Sequence, residues 1–263
     1  MCHHGRVAAR SVLGLLSSLI IAQVSLAQAV VPPEALDAVT TTPAEDETVV
    51  AAPKLPDPPD AKKLPKPDEV WVDAKKRQVM VDGYVSLREG YLEMFACIAG
   101  TKEHESIVAV KSKAKTIHAA LLAVGAKQGT PVQWTPDFRP PTGTEIEVEV
   151  RWLDEQGKWK SALAQDWIRN TDTEKPMTQP WVFAGSGFWK DPESGKEYYM
   201  AEAGDLICVS NFTTATLDVP MESTQSNEGL KFEANPDAVP ALGTPVRVVL
   251  TPKLKDEKKP SAN

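Results

Sequence analysis

The chain has 263 residues, with 29 Lys and Arg against 36 Asp and Glu, 22 Pro, 15 Gly and 3 Cys. Its apolar fraction of 42% and charged fraction of 25% are those of a globular protein, which excludes whole-chain disorder and a multi-pass membrane protein. An acidic chain without a basic cluster is not built for nucleic acid, because phosphate binding needs Lys and Arg gathered on one face.

The N-terminus reads as an export signal. Arg6 and Arg10 precede an apolar stretch over residues 12–24, interrupted by Ser17, Ser18 and Gln23. Small residues follow in Ser25-Leu26-Ala27-Gln28-Ala29, and a Sec-type signal peptide over residues 1–29 is expected, with cleavage after Ala29. The competing reading is a retained anchor, but the stretch is shorter and more polar than the roughly 20 residues of a spanning helix. Cleavage removes Arg6 and Arg10 and leaves 27 basic residues against 36 acidic ones, a formal −9. It also removes Cys2, His3 and His4. The mature chain then holds two cysteines, Cys97 and Cys208, and two histidines, His104 and His118. A periplasmic or secreted location follows, with no membrane insertion after cleavage.

Residues 30–68 contain nine Pro and no apolar periodicity, and predict an extended, disordered leader. The folded part is expected over residues 69–253 as one domain, followed by a charged tail at 254–263. Strand patterns dominate it. Val70-Trp71-Val72 and residues 78–81 flank a charged turn at 73–77. Asp82-Gly83 reads as a hairpin turn leading into residues 84–87. Residues 92–98 and 106–110 read as further strands. Residues 112–124 form the one expected helix, capped by Ser112, carrying Ala114, Ile117, Leu121 and Val124 on one stripe, and stopped at Gly125.

Residues 145–152 alternate cleanly. Ile146, Val148, Val150 and Trp152 face one way, and Glu145, Glu147, Glu149 and Arg151 the other, as in a half-buried antiparallel strand. Strands are also expected at 159–163, 181–183, 198–201, 205–210, 214–219 and 246–251. Gly129-Thr130-Pro131-Val132 and Gly243-Thr244-Pro245-Val246 echo each other at two strand starts, which shared turn chemistry explains more simply than duplication. The fold class is α+β and β-rich: antiparallel sheets packed sandwich-like with one main helix.

Motifs for phosphate, dinucleotide and zinc-protease chemistry are absent. Gly185-Ser186-Gly187 could hold a serine nucleophile, but it lacks the strand-turn-helix context, and a glycine-flanked bend is the expectation. The richest constellation surrounds Cys97. If residues 92–98 and 104–110 form a hairpin pairing Cys97 with His104, thiol and imidazole lie side by side. His118 follows on the helix, and Glu93, Glu103 and Glu105 add carboxylates. Cys97, His104, His118 and Cys208 together match the ligand types of a tetrahedral zinc or copper site.

Three readings of this set stand open. Cys97 and Cys208 form a disulfide closing a loop of about 110 residues, worth roughly 4–5 kcal/mol in the chain-entropy model; or they are free buried thiols; or they belong to a metal or redox site. Trp181, Phe183, Phe188, Trp189, Tyr198 and Tyr199 gather around a hairpin with its turn at Asp191-Pro192-Glu193-Ser194-Gly195. They either build core or stack on sugar rings. Asn211-Phe212-Thr213 is a glycosylation sequon.

Leu87-Arg88-Glu89-Gly90, Leu92-Glu93-Met94-Phe95-Ala96-Cys97 and Gly100-Thr101-Lys102-Glu103-His104-Glu105-Ser106 resemble the YdjY-like domain family of bacteria. The resemblance continues through His118, Trp181-Val182-Phe183-Ala184-Gly185-Ser186-Gly187 and Asp205-Leu206-Ile207-Cys208-Val209-Ser210-Asn211. It implies an exported domain and supplies no reaction. Some relatives carry ferredoxin-like labels, but two mature cysteines cannot supply the four thiolates of an iron–sulfur cluster. The expected function is a non-catalytic binding or structural module of the bacterial envelope, with an envelope protein or glycan as partner. The alternative is the metal or redox site above. Whether the chain is an enzyme is left open.

Overall fold

The computed structural model describes residues 54–226 and 229–254. The expected signal peptide, the first part of the leader and nearly all of the tail lie outside them. Among the described residues the domain is β-rich, with a single α-helix and mainly antiparallel pairing.

Ordered chain starts before the position where composition places the folded part. Leu55 is buried, and β1 (Lys62–Lys63) pairs antiparallel with β2 (Val70–Asp73). Lys54 and Lys63 both reach Glu69, at 3.0 and 2.7 Å, so this segment is tied to the sheet despite its prolines. The turn after β2 forms as its sequence demands. Asp73 Oδ1 accepts the amides of Lys75 and Lys76, and Arg77 takes φ 54°.

The next strand corrects an expectation. Asp82-Gly83 is no hairpin turn but the middle of β3 (Gln78–Val85). The glycine serves close approach, since a Cβ there would stand 2.3 Å from the Ala109 carbonyl oxygen on the adjacent strand.

The sheet is completed by β4 (Met94–Ile98), β5 (Ser106–Val110), β6 (Glu145–Leu153), β7 (Trp159–Leu163), β9 (Trp181–Val182), β12 (Ile207–Cys208) and β14 (Pro245–Pro252). Its path runs β12-β4-β5-β3-β14-β6-β7, with β2 joined to β3 and β9 to β6. Two ribbons stand apart: β8 (Ile168–Asn170) with β13 (Phe232–Ala234), and β10 (Phe188–Lys190) with β11 (Glu197–Tyr199). The segment 214–219, read as a strand, makes only isolated bridges through Leu217 and Asp218.

The alternation in β6 holds. Ile146, Val148 and Val150 enter the main core, while Glu149 and Arg151 lie on the opposite face. The helix α1 (Ala114–Ala123) buries Ala114, Ile117, Ala120 and Leu121 against that core. Ser112 does not cap it; its hydroxyl accepts the Glu69 amide instead. The first-turn amides are met by distant carboxylates, Lys113 N–H by Asp68 and Ala114 and Lys115 N–H by Glu202. Anionic caps also suit the positive end of the helix dipole. Gly125, at φ 95°, ends the helix as its position implies. At ten residues, α1 is not long and apolar enough to cross a membrane, and no other helix among the described residues is.

Candidate functional site

The pairing of β4 with β5 decides the fate of the Cys97 constellation. The two strands are parallel, with Met94 opposite Ser106 and Cys97 opposite Ala109. The expected hairpin and its Cys97–His104 pair are therefore not formed. A connector as short as residues 99–105 suggests a hairpin, because parallel neighbours ordinarily need about a dozen residues between them. Here the connector runs back along the strand it has just left. His104 lies in its last turn with a side chain 77% exposed, its Nε2 at 3.8 Å from Glu105.

Cys97 and Cys208 do come together in one small apolar cluster with Met94, Ala109, Phe212 and Ala215. Both are fully buried free thiols. Burial pushes the Cys97 thiol up and the Cys208 thiol well up, away from the thiolate form. His118 sits elsewhere, on α1. Among the described residues, no three His, Cys, Asp or Glu side chains are grouped to hold a metal ion. The two thiols share a site and the two imidazoles do not join it.

The returning connector lays Lys102 over this cluster, with Nζ 4.5 Å from the Phe212 ring. Three carboxylates surround it: Asp205 at 3.1 Å, Glu105 at 3.5 Å and Glu93 at 3.9 Å. Asp205 also accepts the Thr214 hydroxyl. Burial works against the Lys102 charge, but Asp205, Glu105 and Glu93 together raise its pKa. One cation cannot hold three anions at low dielectric cost. Burial first, then the nearby Glu105, push Glu93 up to about 7, against the pull of Lys102. A carboxyl group able to exchange a proton near neutral pH is the result.

A buried polar thread continues from here. Asn211 Nδ2 donates to Asp218 Oδ1 at 3.0 Å, and burial pushes Asp218 well up. The Asn211 amide of the sequon is fully buried, so it is a structural donor rather than a glycan acceptor. Thr216 lies two residues before Asp218, and its Oγ1 is 3.1 Å from the Tyr199 hydroxyl. That hydroxyl donates to the Gly185 carbonyl at 3.1 Å and lies 2.9 Å from His118 Nδ1. The Tyr199 hydroxyl thus holds the His118 ring through Nδ1, with Gly185 and Thr216 as its other neighbours. Burial lowers the His118 pKa and pushes the Tyr199 phenol up to about 12. Ser186 is a bend at φ 54°, buried, with an unpartnered hydroxyl. A strand rather than a helix follows it.

Beyond this bend, β10 and β11 make the expected hairpin. Trp189 pairs across it with Tyr198, ring centroids 5.7 Å apart. Tyr199 turns inward, but Phe188 is 65% exposed, Trp189 52% and Tyr198 42%. These three rings do not build core.

A family model described as the YdjY domain matches residues 70–251. The chain belongs to the YdjY domain family. No curated protein and no solved structure matches it. Within this YdjY domain, the segments on which the resemblance rests meet around Lys102: one supplies Glu93, the next Lys102 and Glu105, and the last Asp205. Residue reading alone missed Lys102 and Asp205 as partners, because the connector's reversal has no signature in composition. It also missed Tyr199 as the residue that orients His118.

Proposed function

We propose that this YdjY domain is exported by the signal at residues 1–29 and serves in the bacterial envelope as a non-catalytic binding module for a glycan. The observation that carries the reading is the ribbon of Phe188, Trp189 and Tyr198. A two-stranded ribbon is marginal in water by itself, and the exposed Trp189 and Tyr198 rings on it pack on each other rather than on the core. Trp189 and Tyr198, paired on one face of the ribbon with ring centroids 5.7 Å apart, suit the apolar face of a sugar, while Phe188 lies on the other face beside Tyr199. Lys196, whose ammonium lies 4.8 Å over the Tyr198 ring, adds a donor beside them.

Titrating the purified protein with soluble peptidoglycan oligosaccharides while following tryptophan fluorescence tests this. A saturable change that Trp189→Ala abolishes is the expected result. An unchanged spectrum, or a change that survives Trp189→Ala, would end the glycan reading. Export is tested separately by the N-terminus of the protein recovered from the periplasm, expected at Val30.

A second reading rests on Cys97 and Cys208 sharing one cluster, which would suit redox chemistry. Their raised thiol pKa values work against it, because the thiolate is the reactive form.

A further inference from the structure

The sheet face opposite the main core carries a second, separate feature. Register places Arg247 on β14 between Asp82 on β3 and Arg151 on β6, and Arg151 opposite Ser161 on β7. Met80 and Glu149 flank Val249 in the neighbouring row of the same face. Residues 56–59 cross over this face and leave a cavity of about 680 Å³ between the prolines and the strands. That volume lies in the range of small-molecule sites, roughly 300–1,000 Å³.

Two like charges directly opposite each other on adjacent strands destabilise a sheet. Arg247 and Arg151 are such a pair, and both line the cavity. Each is held by its own carboxylate through Nε and Nη2: Arg247 on Asp82 at 2.7 and 2.9 Å, Arg151 on Glu149 at 2.9 and 2.7 Å. Each keeps an Nη1 with no partner among the described residues. Arg247 is only 3% exposed, so its orientation is fixed by packing. Its guanidinium lies 4.8 Å from the Trp71 ring and 6.0 Å from that of Trp159. The rest of the wall combines the apolar Met80, Trp159 and proline rings with the polar side chains of Asp57, Lys160 and Ser161.

We propose that this cavity binds a small organic anion, with its charged group accepting from the two arginines and an apolar ring against Trp159 and Met80. With Asp82 and Glu149 meeting the other donors of the two guanidiniums, the anion would bridge their Nη1 groups. The prolines of residues 56–59 form the remaining wall, so ligand and leader segment close the face together. This site is independent of the aromatic ribbon.

Calorimetric titration of the full chain with 2-naphthoate, and with the uncharged 2-naphthylmethanol, tests the proposal. We expect saturable binding of 2-naphthoate and at least tenfold weaker binding of the alcohol. Ser161→Glu places a carboxylate in the cavity wall and should weaken naphthoate at least tenfold, as should Arg151→Gln, whereas Trp189→Ala should not. Absence of saturable naphthoate binding, equal affinity for the alcohol, or indifference to Ser161→Glu would overturn it. The comparison of the two ligands on the unmodified chain stands even if a variant fails to fold.

Discussion

Lys102 Nζ stands 3.1 Å from Asp205 Oδ1, and this contact joins the connector between β4 and β5 to the segment leading into β12. Asp205 is nearly enclosed, and Lys102 is three-quarters covered. Glu93 and Glu105 depend on the same ammonium. Removing it with Lys102→Met leaves buried carboxylates without a counter-charge, which should cost about 2–4 kcal/mol at pH 7.5. Thermal melts should show the deficit shrinking as pH falls through about 7, where Glu93 takes up a proton. A deficit of the same size above and below that pH would mean that lost packing, not charge, is responsible.

Glu93 gives the domain a pH dependence of definite sign. Its folded pKa of about 7 lies above the unfolded value of 4.5, so between those values the native state binds more protons than the unfolded one. Stability therefore falls as pH rises through this window. Glu93→Gln should flatten that fall. His118 acts oppositely, because its folded pKa is lowered, and stability is lost as pH drops below about 6.5. Melting temperature measured from pH 4.5 to 8 in the two single variants, Glu93→Gln and His118→Gln, separates the two contributions.

The buried thiols should be inert in the native state. Ellman's reagent should react with neither Cys97 nor Cys208 until denaturant is added, and intact mass under native conditions should show both hydrogens and no bound metal. Rapid native labelling, a mass two hydrogens light or a stoichiometric metal would each contradict the picture of two protonated thiols in an apolar cluster.

Gly83→Ala is expected to be costly although the position is neither a turn nor at positive φ. The added methyl would meet the Ala109 backbone oxygen rather than a side chain that can swing away. Separation of β3 from β5 or local bending should cost about 1–3 kcal/mol, measured by urea denaturation. Gly90 offers the contrast: its Cβ position is open, but φ is 112°, so any loss there comes from backbone strain alone.

Arg247 and Asp82 form an ion pair that burial renders expensive. Even with the guanidinium bound bidentately, burial raises the Asp82 pKa above its ordinary value. Arg247→Met should lose about 3–5 kcal/mol by leaving that carboxyl unpaired. The double variant with Asp82→Asn should lose less than the two single losses added together. Additive losses would show that the two side chains act separately.

Much of the architecture was legible wherever one physical rule acted alone. The alternation of β6, the stripe on α1, the glycine stop at 125 and the Trp189–Tyr198 hairpin each depend on local periodicity or turn chemistry, and each formed. The readings that failed were those in which distant backbone overrode a local signal. Asp82-Gly83 has the composition of a turn, but the glycine answers to Ala109. Ser112 has the composition of a cap, but Asp68 and Glu202 reach the helix first. The Cys97–His104 pairing assumed that a short connector reverses direction, and that assumption misplaced His104. Nothing local marks Lys102; the parallel register of β4 and β5 is what lays it over the thiol cluster.

The position of β14 has a consequence for the order of assembly. This strand holds β3 on one side and β6 on the other, so the seam between the early and late parts of the sheet stays open until the chain through Pro252 has been synthesised. Pairings across such separations close slowly, because loop entropy is lost before contacts compensate it. A chain lacking β14 would leave facing edges of β3 and β6 unpaired and the two parts of the sheet unjoined.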